Sequence, residues 1–386
     1  MTSRIIVVGA GIAGLSTAVA LHRDGHTVTV FEERSDTSSG AGISIWPNAL
    51  AALDRIGLGD QVRDAGGRIS AGAVRWRDGT WIRRPSAQRI GTALGEPLVV
   101  VERAILRDIL AGALPAGTVE HGIAATAVAH TAAGVHVDLA DGSHREADAL
   151  VGADGTYSVV ARLLNGDLAH RYVGYTAWRG VADYRLDPGL AGETFGMGVE
   201  FGHVPMGVNQ TYWFATERAA EGGTAGTGAL DHLRTTFADW ADPVPAILAA
   251  TPSDRLLRND LYDRATARCW ARGPVVLVGD AAHPMRPHLG QGGCQAIEDA
   301  AVLARLLGSA SDPATAFARF EKYRRPRVRA LVRESRTVGA VLNVRPAVLA
   351  AALTRATAVI PEAVLTRHLT WVAARSAFRL PQNEEL

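Results

Sequence analysis

Apolar residues fall into short unbroken runs near the N-terminus and into alternation further on, and these two textures predict different elements. Residues 5–8 are all apolar and read as a buried strand, 13–23 carry helical spacing, and 27–31 return to β-branched and apolar residues. That order is a βαβ unit. Residues 47–58 and 102–114 read as helices, the second with Leu106 and Leu110 four apart on one face. Residues 126–130 and 135–139 alternate as antiparallel strands about a turn at Ala132, Ala133 and Gly134, and 149–151 read as another buried strand.

Between about residues 174 and 264 the chain changes to short alternating runs, such as 200–204 and 210–216, punctuated by Gly and Pro. This predicts a sheet-rich insertion. A buried strand at 274–278 and a helix at 293–307 then return the chain to the first lobe. The expected fold is α/β: a discontinuous Rossmann-like domain from residues 1–73, 98–173 and 265–340, with an inserted sheet-rich domain from 74–97 and 174–264. Residues 341–386 are expected to form C-terminal helices broken near Pro361. A length of 386 residues agrees with two cores sharing a cleft.

Charge narrows the partners. Forty Lys and Arg against 39 Asp and Glu, with no basic block, argue against nucleic acid. The only cysteines, Cys269 and Cys294, are too few for a disulfide framework or a cysteine-built metal site, so a reducing cytoplasm is expected and no metal. The apolar N-terminal run is interrupted by Gly9, Gly11 and Gly14, and no other run reaches the roughly 18 residues of a spanning helix. A soluble monomer or homodimer is expected.

The chemistry starts in VVGAGIAGLS. Gly9 permits a tight turn, Gly11 lets a pyrophosphate approach the backbone, and Gly14 lets helix and strand pack closely, with the helix N-terminus facing the anion. Glu32 ends the second strand, eighteen residues after Gly14, where a carboxylate can accept the hydroxyls of an adenosine ribose. These features suit NAD or FAD equally.

Two later segments separate them. VGADGTYS, with Asp154 and Gly155, and VLVGDAAHPMRPHLGQGGCQAIEDA, with Gly279 and Asp280, resemble the second and third fingerprints of class A FAD-dependent monooxygenases, the para-hydroxybenzoate hydroxylase family. The similarity spans roughly residues 1–340 and includes the PNA segment at Pro47 and VERAILRDIL with Arg103. It implies that Asp280 holds the ribityl hydroxyls of FAD, that Gly42 and Ile43 touch the flavin edge, and that Arg103 contacts the phosphate and ribityl region. Pro287, Gly290, Gly292, Gly293 and Cys294 would line the flavin ring, where the amides of a helix start favour negative charge. Ala13 and Arg34 complete the expected cofactor contacts. The family arginine of the second fingerprint is replaced by Ala161, with Arg162 beside it, and Cys294 stands where many relatives carry Asn, as in the subgroup resembling urate hydroxylase and zeaxanthin epoxidase.

The resemblance implies an enzyme that consumes NADPH or NADH and molecular oxygen, and hydroxylates a small aromatic or heteroaromatic molecule through a flavin hydroperoxide. The alternatives are alkene epoxidation, ligand binding without turnover, and an NAD-dependent dehydrogenase, which would leave the Asp154 and Asp280 segments unexplained. Trp178, Arg179, His203, Tyr212 and His288 are the pocket candidates. Of these, Arg179, Tyr212 and His288 are the expected catalytic set, with Arg179 pairing a carboxylate or phenolate and His288 accepting a phenolic proton. His283 is not taken as a base, because no spacing to an Asp or Ser suggests a triad.

Overall fold

The computed structural model describes residues 2–35, 41–69, 72–131, 134–207 and 209–382. Strand β1 (Arg4–Val8), helix α1 (Ile12–Arg23) and strand β2 (Thr27–Glu32) form the expected βαβ unit, with β1 and β2 parallel from Arg4 opposite Thr27 to Val8 opposite Phe31. β1 is buried on both faces, as its unbroken apolar run requires. The full sheet has six strands in the order Ala271–Arg272, Val275–Leu277, Ala149–Gly152, β1, β2 and Val119–His121. Three distant stretches of chain therefore build one nucleotide sheet. The helix Gly292–Leu307 packs on it beside α1.

The second large sheet has seven strands in the order Leu257–Arg264, His170–Ala182, Gln210–Glu217, Glu200–Met206, Gly192–Phe195, Ala73–Trp76 and Trp81–Arg83. One face carries Trp178, Phe201 and Trp213, and closes a separate core against Leu233, Phe237 and Ile247. The other face looks toward the nucleotide lobe. The strand His170–Ala182 runs straight through residue 174, where Gly174 has φ +84° and the register with Leu257–Arg264 shifts between Tyr172 and Thr176.

Several elements differ from the sequence reading. The helix expected at 47–58 ends at Arg55, because Gly57 turns the chain with φ +74°, and a second helix occupies Gly59–Ala65. Glu102 closes a strand, so the next helix is Arg103–Gly112. Ala132 and Ala133, the expected hairpin turn, lie outside the described residues, although the strands Ala125–Thr131 and Gly134–Leu139 pair antiparallel. A thirty-residue helix, Pro313–Leu342, was not anticipated; it continues through Pro326 and buries Phe317, Phe320, Val328 and Leu331. The C-terminal helices Ala347–Ala356 and Glu362–Ala373 meet at 101° beside Pro361. Among the described residues no single helix is long and apolar enough to cross a membrane.

Candidate active site

The expected phosphate loop is shaped by its glycines. Gly9 has φ +100°, and a side chain there would come within 2.6 Å of the Ala153 carbonyl oxygen, while one at Gly14 would strike the Gly9 carbonyl. Gly11, the residue before α1, has open space around it and no side-chain cap on the helix. The helix amides are thus free for an anion. Glu32 is held by the backbone amides of Ala10 (2.7 Å) and Arg34 (3.1 Å), one to each carboxylate oxygen, which leaves lone pairs for ribose hydroxyls. Ala13 lies beneath Gly279, where a β-carbon would be 2.6 Å from its methyl group, so the first and third segments are in direct contact.

Asp154 is committed locally. Its carboxylate accepts from Ser158 and from the amides of Val159 (2.7 Å) and Val160 (3.3 Å) at the start of the helix Val159–Asn165, and burial pushes its carboxyl above the usual range. Asp280 behaves oppositely. It sits just past the strand Val275–Leu277, exposed, with no hydrogen bond among the described residues. It caps no helix here. Its charge acts on Arg103, a solvent-exposed side chain whose guanidinium is pulled down by desolvation from the surrounding chain and pushed up by Asp280, with Arg179, Arg107 and Arg34 also close enough to act on it.

The flavin-facing segment is equally open. Gln291 gives the helix Gly292–Leu307 no side-chain cap, so its first amides stay available. Gly290 adopts φ +59° against the Trp46 indole, whose buried nitrogen has no partner, and a β-carbon at Gly293 would be 2.8 Å from Ile43. Cys294 is a buried thiol pushed up to about 12 by desolvation, held among the Trp46 amide and the carbonyls of Ser44 and Gly290. Its contribution is to brace the strand Gly42–Ile45. An unpaired carboxylate, uncapped helix amides and an acceptor for ribose together fit FAD.

The second sheet covers this cleft. Arg179 is opposite Phe214 and Val181 opposite Tyr212, so Arg179, Tyr212 and Phe214 share the inner face. The Tyr212 ring lies against Gly42, leaving no room for a β-carbon there, and burial raises its phenol against the pull of Arg179. Arg179 also donates to Asn259 at 2.6 Å. Trp178 and His203 are on the other face, which corrects their candidacy: Trp178 donates to Glu217 at 2.6 Å and His203 lies 3.3 Å from the Thr194 hydroxyl. Strand alternation decides that outcome. His288, which follows Pro287 in a short turn, is buried between the Tyr175 hydroxyl at 2.9 Å and Glu200 at 3.6 Å.

Sequence reading missed two structural supports. Arg264, 1% exposed, donates to the carbonyls of Thr156 (3.1 Å) and Ala281 (2.7 Å), and so ties the second fingerprint to the third. Beneath the flavin segment, Asn48 donates to Gln291 (3.0 Å) and Glu298 (2.6 Å), and Arg324 bonds Asp299 and the Gln295 side chain, both at 2.8 Å. His283 belongs to this network, with Asp299 as the partner its spacing did not suggest. These contacts join residues far apart in sequence, though buried-looking acids inside the apolar helix at Glu298 and Asp299 were a readable signal.

Comparison with known proteins agrees with this geometry. A family model described as FAD binding domain matches residues 2–184 and 245–335. Aurachin C monooxygenase/isomerase of Stigmatella aurantiaca is 39% identical over 342 residues, covering 87% of this chain and 89% of its own. A 3-amino-4-hydroxybenzoate 2-monooxygenase of Streptomyces platensis is 37% identical, covering 87% of each chain. The crystal structure of Klebsiella pneumoniae HpxO complexed with FAD and uric acid superposes with a TM-score of 0.89 at 30% identity, covering 95% of both chains. Matched by the family model over most of its length and by these relatives along nearly the whole chain, the protein is a member of the FAD binding domain family and a flavin-dependent monooxygenase.

Proposed function

We propose that the protein hydroxylates a small aromatic or heteroaromatic molecule, using NADPH or NADH and molecular oxygen. The observation that carries this reading is the stacking of Tyr212 on Gly42, since it brings the inner sheet face, with Phe214 and Arg179, directly over the strand that edges the flavin site. When bound, FAD supplies electron transfer from the coenzyme and activation of oxygen. The chain supplies the rest. Residues Gly9, Gly11, Ala13, Gly14, Glu32, Arg34, Gly42, Ile43, Arg103, Asp154, Asp280, Pro287, Gly290, Gly292, Gly293 and Cys294 would hold or shape the cofactor site. The uncapped amides at Gly292 would favour negative charge on the ring side.

Arg179 is set to stabilise a phenolate, which makes the substrate ring electron-rich, and Tyr212 forms the wall beside it. His288 has little surface of its own, so it would move a proton through the Tyr175 hydroxyl on one nitrogen, with Glu200 near the other. Residues 1–73, 98–173 and 265–340 would carry FAD, and 74–97 and 174–264 the substrate; a cytoplasmic monomer or homodimer matches the balanced charge and two free cysteines. The relatives' names, a hydroxybenzoate monooxygenase among them, support an aromatic ring as the target. The test is coenzyme oxidation by the FAD-loaded protein with a panel of phenols and hydroxylated heterocycles. Stimulation by at least one of them supports the reading, and an unstimulated rate across the whole panel counts against it.

A further inference from the structure

The inner sheet face extends beyond Tyr212 and Phe214 to two acids that the reaction outlined above leaves without a binding role. Gly202 is opposite both Phe214 and Glu193, and Glu200 is opposite Thr216, so Glu193 and Glu200 share the face of Arg179 and Tyr212. A side chain at Gly202 would collide with the Phe214 ring, which therefore folds over this glycine. The ring makes an aromatic wall next to the acids.

Glu200 is 5% exposed and makes no hydrogen bond among the described residues; its nearest polar approach is His288 Nδ1 at 3.6 Å. Among the described residues Glu193 has no hydrogen bond or ion pair either, and it keeps part of its surface accessible. Burial and the neighbouring Glu200 push the Glu193 carboxyl up to about 8. Two nearby arginines are turned away from the pair. Arg286 is paired with Asp263 at 2.6 Å, and Arg75 lies with Thr194 on the opposite face, while Arg179, on the same face, is the cation set for the phenolate. A carboxylate largely withdrawn from water and without a hydrogen-bond donor is costly, so a ligand on this face is expected to bring a donor to Glu200.

Resting on the monooxygenase reading, we propose that this pocket selects neutral aromatic or heteroaromatic substrates that carry N–H donors, amide, amino or ring N–H, toward Glu193 and Glu200, and rejects carboxylate-bearing analogues. A carboxylate placed there would meet the charge of Glu200 in a low-dielectric site and bring it no donor. The ring would stand against Phe214 and Tyr212, which fixes the direction in which the donors point.

The test uses matched pairs such as 4-hydroxybenzamide and 4-hydroxybenzoate, with equivalents on pyridine and quinoline rings. Each is titrated into the FAD-loaded protein without coenzyme and followed by the change in flavin absorbance. The expected result is binding of at least one amide, tighter than its acid by roughly tenfold or more, as for sites built around a hydrogen bond. In E200Q and E193Q, checked for flavin content and melting temperature, that preference should shrink to within about threefold. Acids binding as well as amides, no amide binding, or an unchanged preference in both variants would overturn the proposal. Coenzyme-driven hydroxylation of an acid would discard this selectivity and leave the monooxygenase reading standing, whereas a protein that takes up no FAD would remove both.

Discussion

His283 Nε2 lies 2.6 Å from Asp299 Oδ2, and both side chains are fully buried under the cofactor cleft. The same carboxylate oxygen accepts from the Gly279 amide at 2.9 Å, and its partner oxygen accepts from Arg324 at 2.8 Å. Burial alone would push the Asp299 carboxyl up; His283 and Arg324 hold it below its ordinary value. Asp299 is thus the anchor that fixes the turn presenting Asp280. His283 is a positioning residue, and nothing in its surroundings faces the substrate.

Replacing Asp299 by Asn should therefore damage stability and cofactor affinity together. Removing one charge from a buried ion cluster costs about 3–5 kcal/mol. Thermal denaturation of the FAD-free variant should show a melting temperature several degrees lower, and FAD titration a weaker Kd. An unchanged apo melting temperature would contradict the anchor role.

Asp280→Asn separates the two effects. The side chain is exposed and unpartnered, so the FAD-free variant should unfold within about 0.5 kcal/mol of the parent, typical of surface substitutions. FAD affinity should fall about tenfold or more, because a charge-assisted hydrogen bond to the ribityl chain would be lost. A parallel loss of apo stability would show a structural role instead.

Arg264→Met tests the bridge between the fingerprints. Burial pulls the guanidinium down to about 10, with Asp280 and Asp154 acting against that pull. Losing two buried hydrogen bonds to Thr156 and Ala281 should destabilise by roughly 2–4 kcal/mol and weaken FAD binding, measured by urea unfolding and flavin titration.

Much of the nucleotide half was legible because its signals are local: an apolar strand, glycines at fixed offsets and an acid at the end of β2. The sheet face was harder. Trp178 and Arg179 are adjacent in sequence but opposite in space, and only the register, with Arg179 facing Phe214, separates a core tryptophan from a cleft arginine. His203 was misread for the same reason. Arg264, Asn48 and Arg324 act through contacts with residues 17 to 250 positions away, and no pattern in their own neighbourhood marks them.

His203 predicts a pH effect. Burial, reinforced by Arg75, lowers its imidazole to about 3, so the folded protein keeps it neutral while the unfolded chain protonates near the ordinary 6.5. The unfolded state then binds more protons between these values, and stability is lost as pH falls from about 6.5 toward 3. His203→Gln should flatten that part of the acid-unfolding curve, by an amount on the order of a few kcal/mol at its lower end. Equal acid sensitivity in both proteins would show that other groups dominate.

The central claim, that the chain is an FAD-dependent monooxygenase, is tested most directly by mass spectrometry of products formed under isotopically heavy oxygen. The FAD-loaded protein, a reduced nicotinamide coenzyme and the aromatic panel should yield at least one product carrying a single heavy oxygen atom. Coenzyme consumption that gives only hydrogen peroxide with every substrate, or products whose added oxygen comes from water, would contradict it.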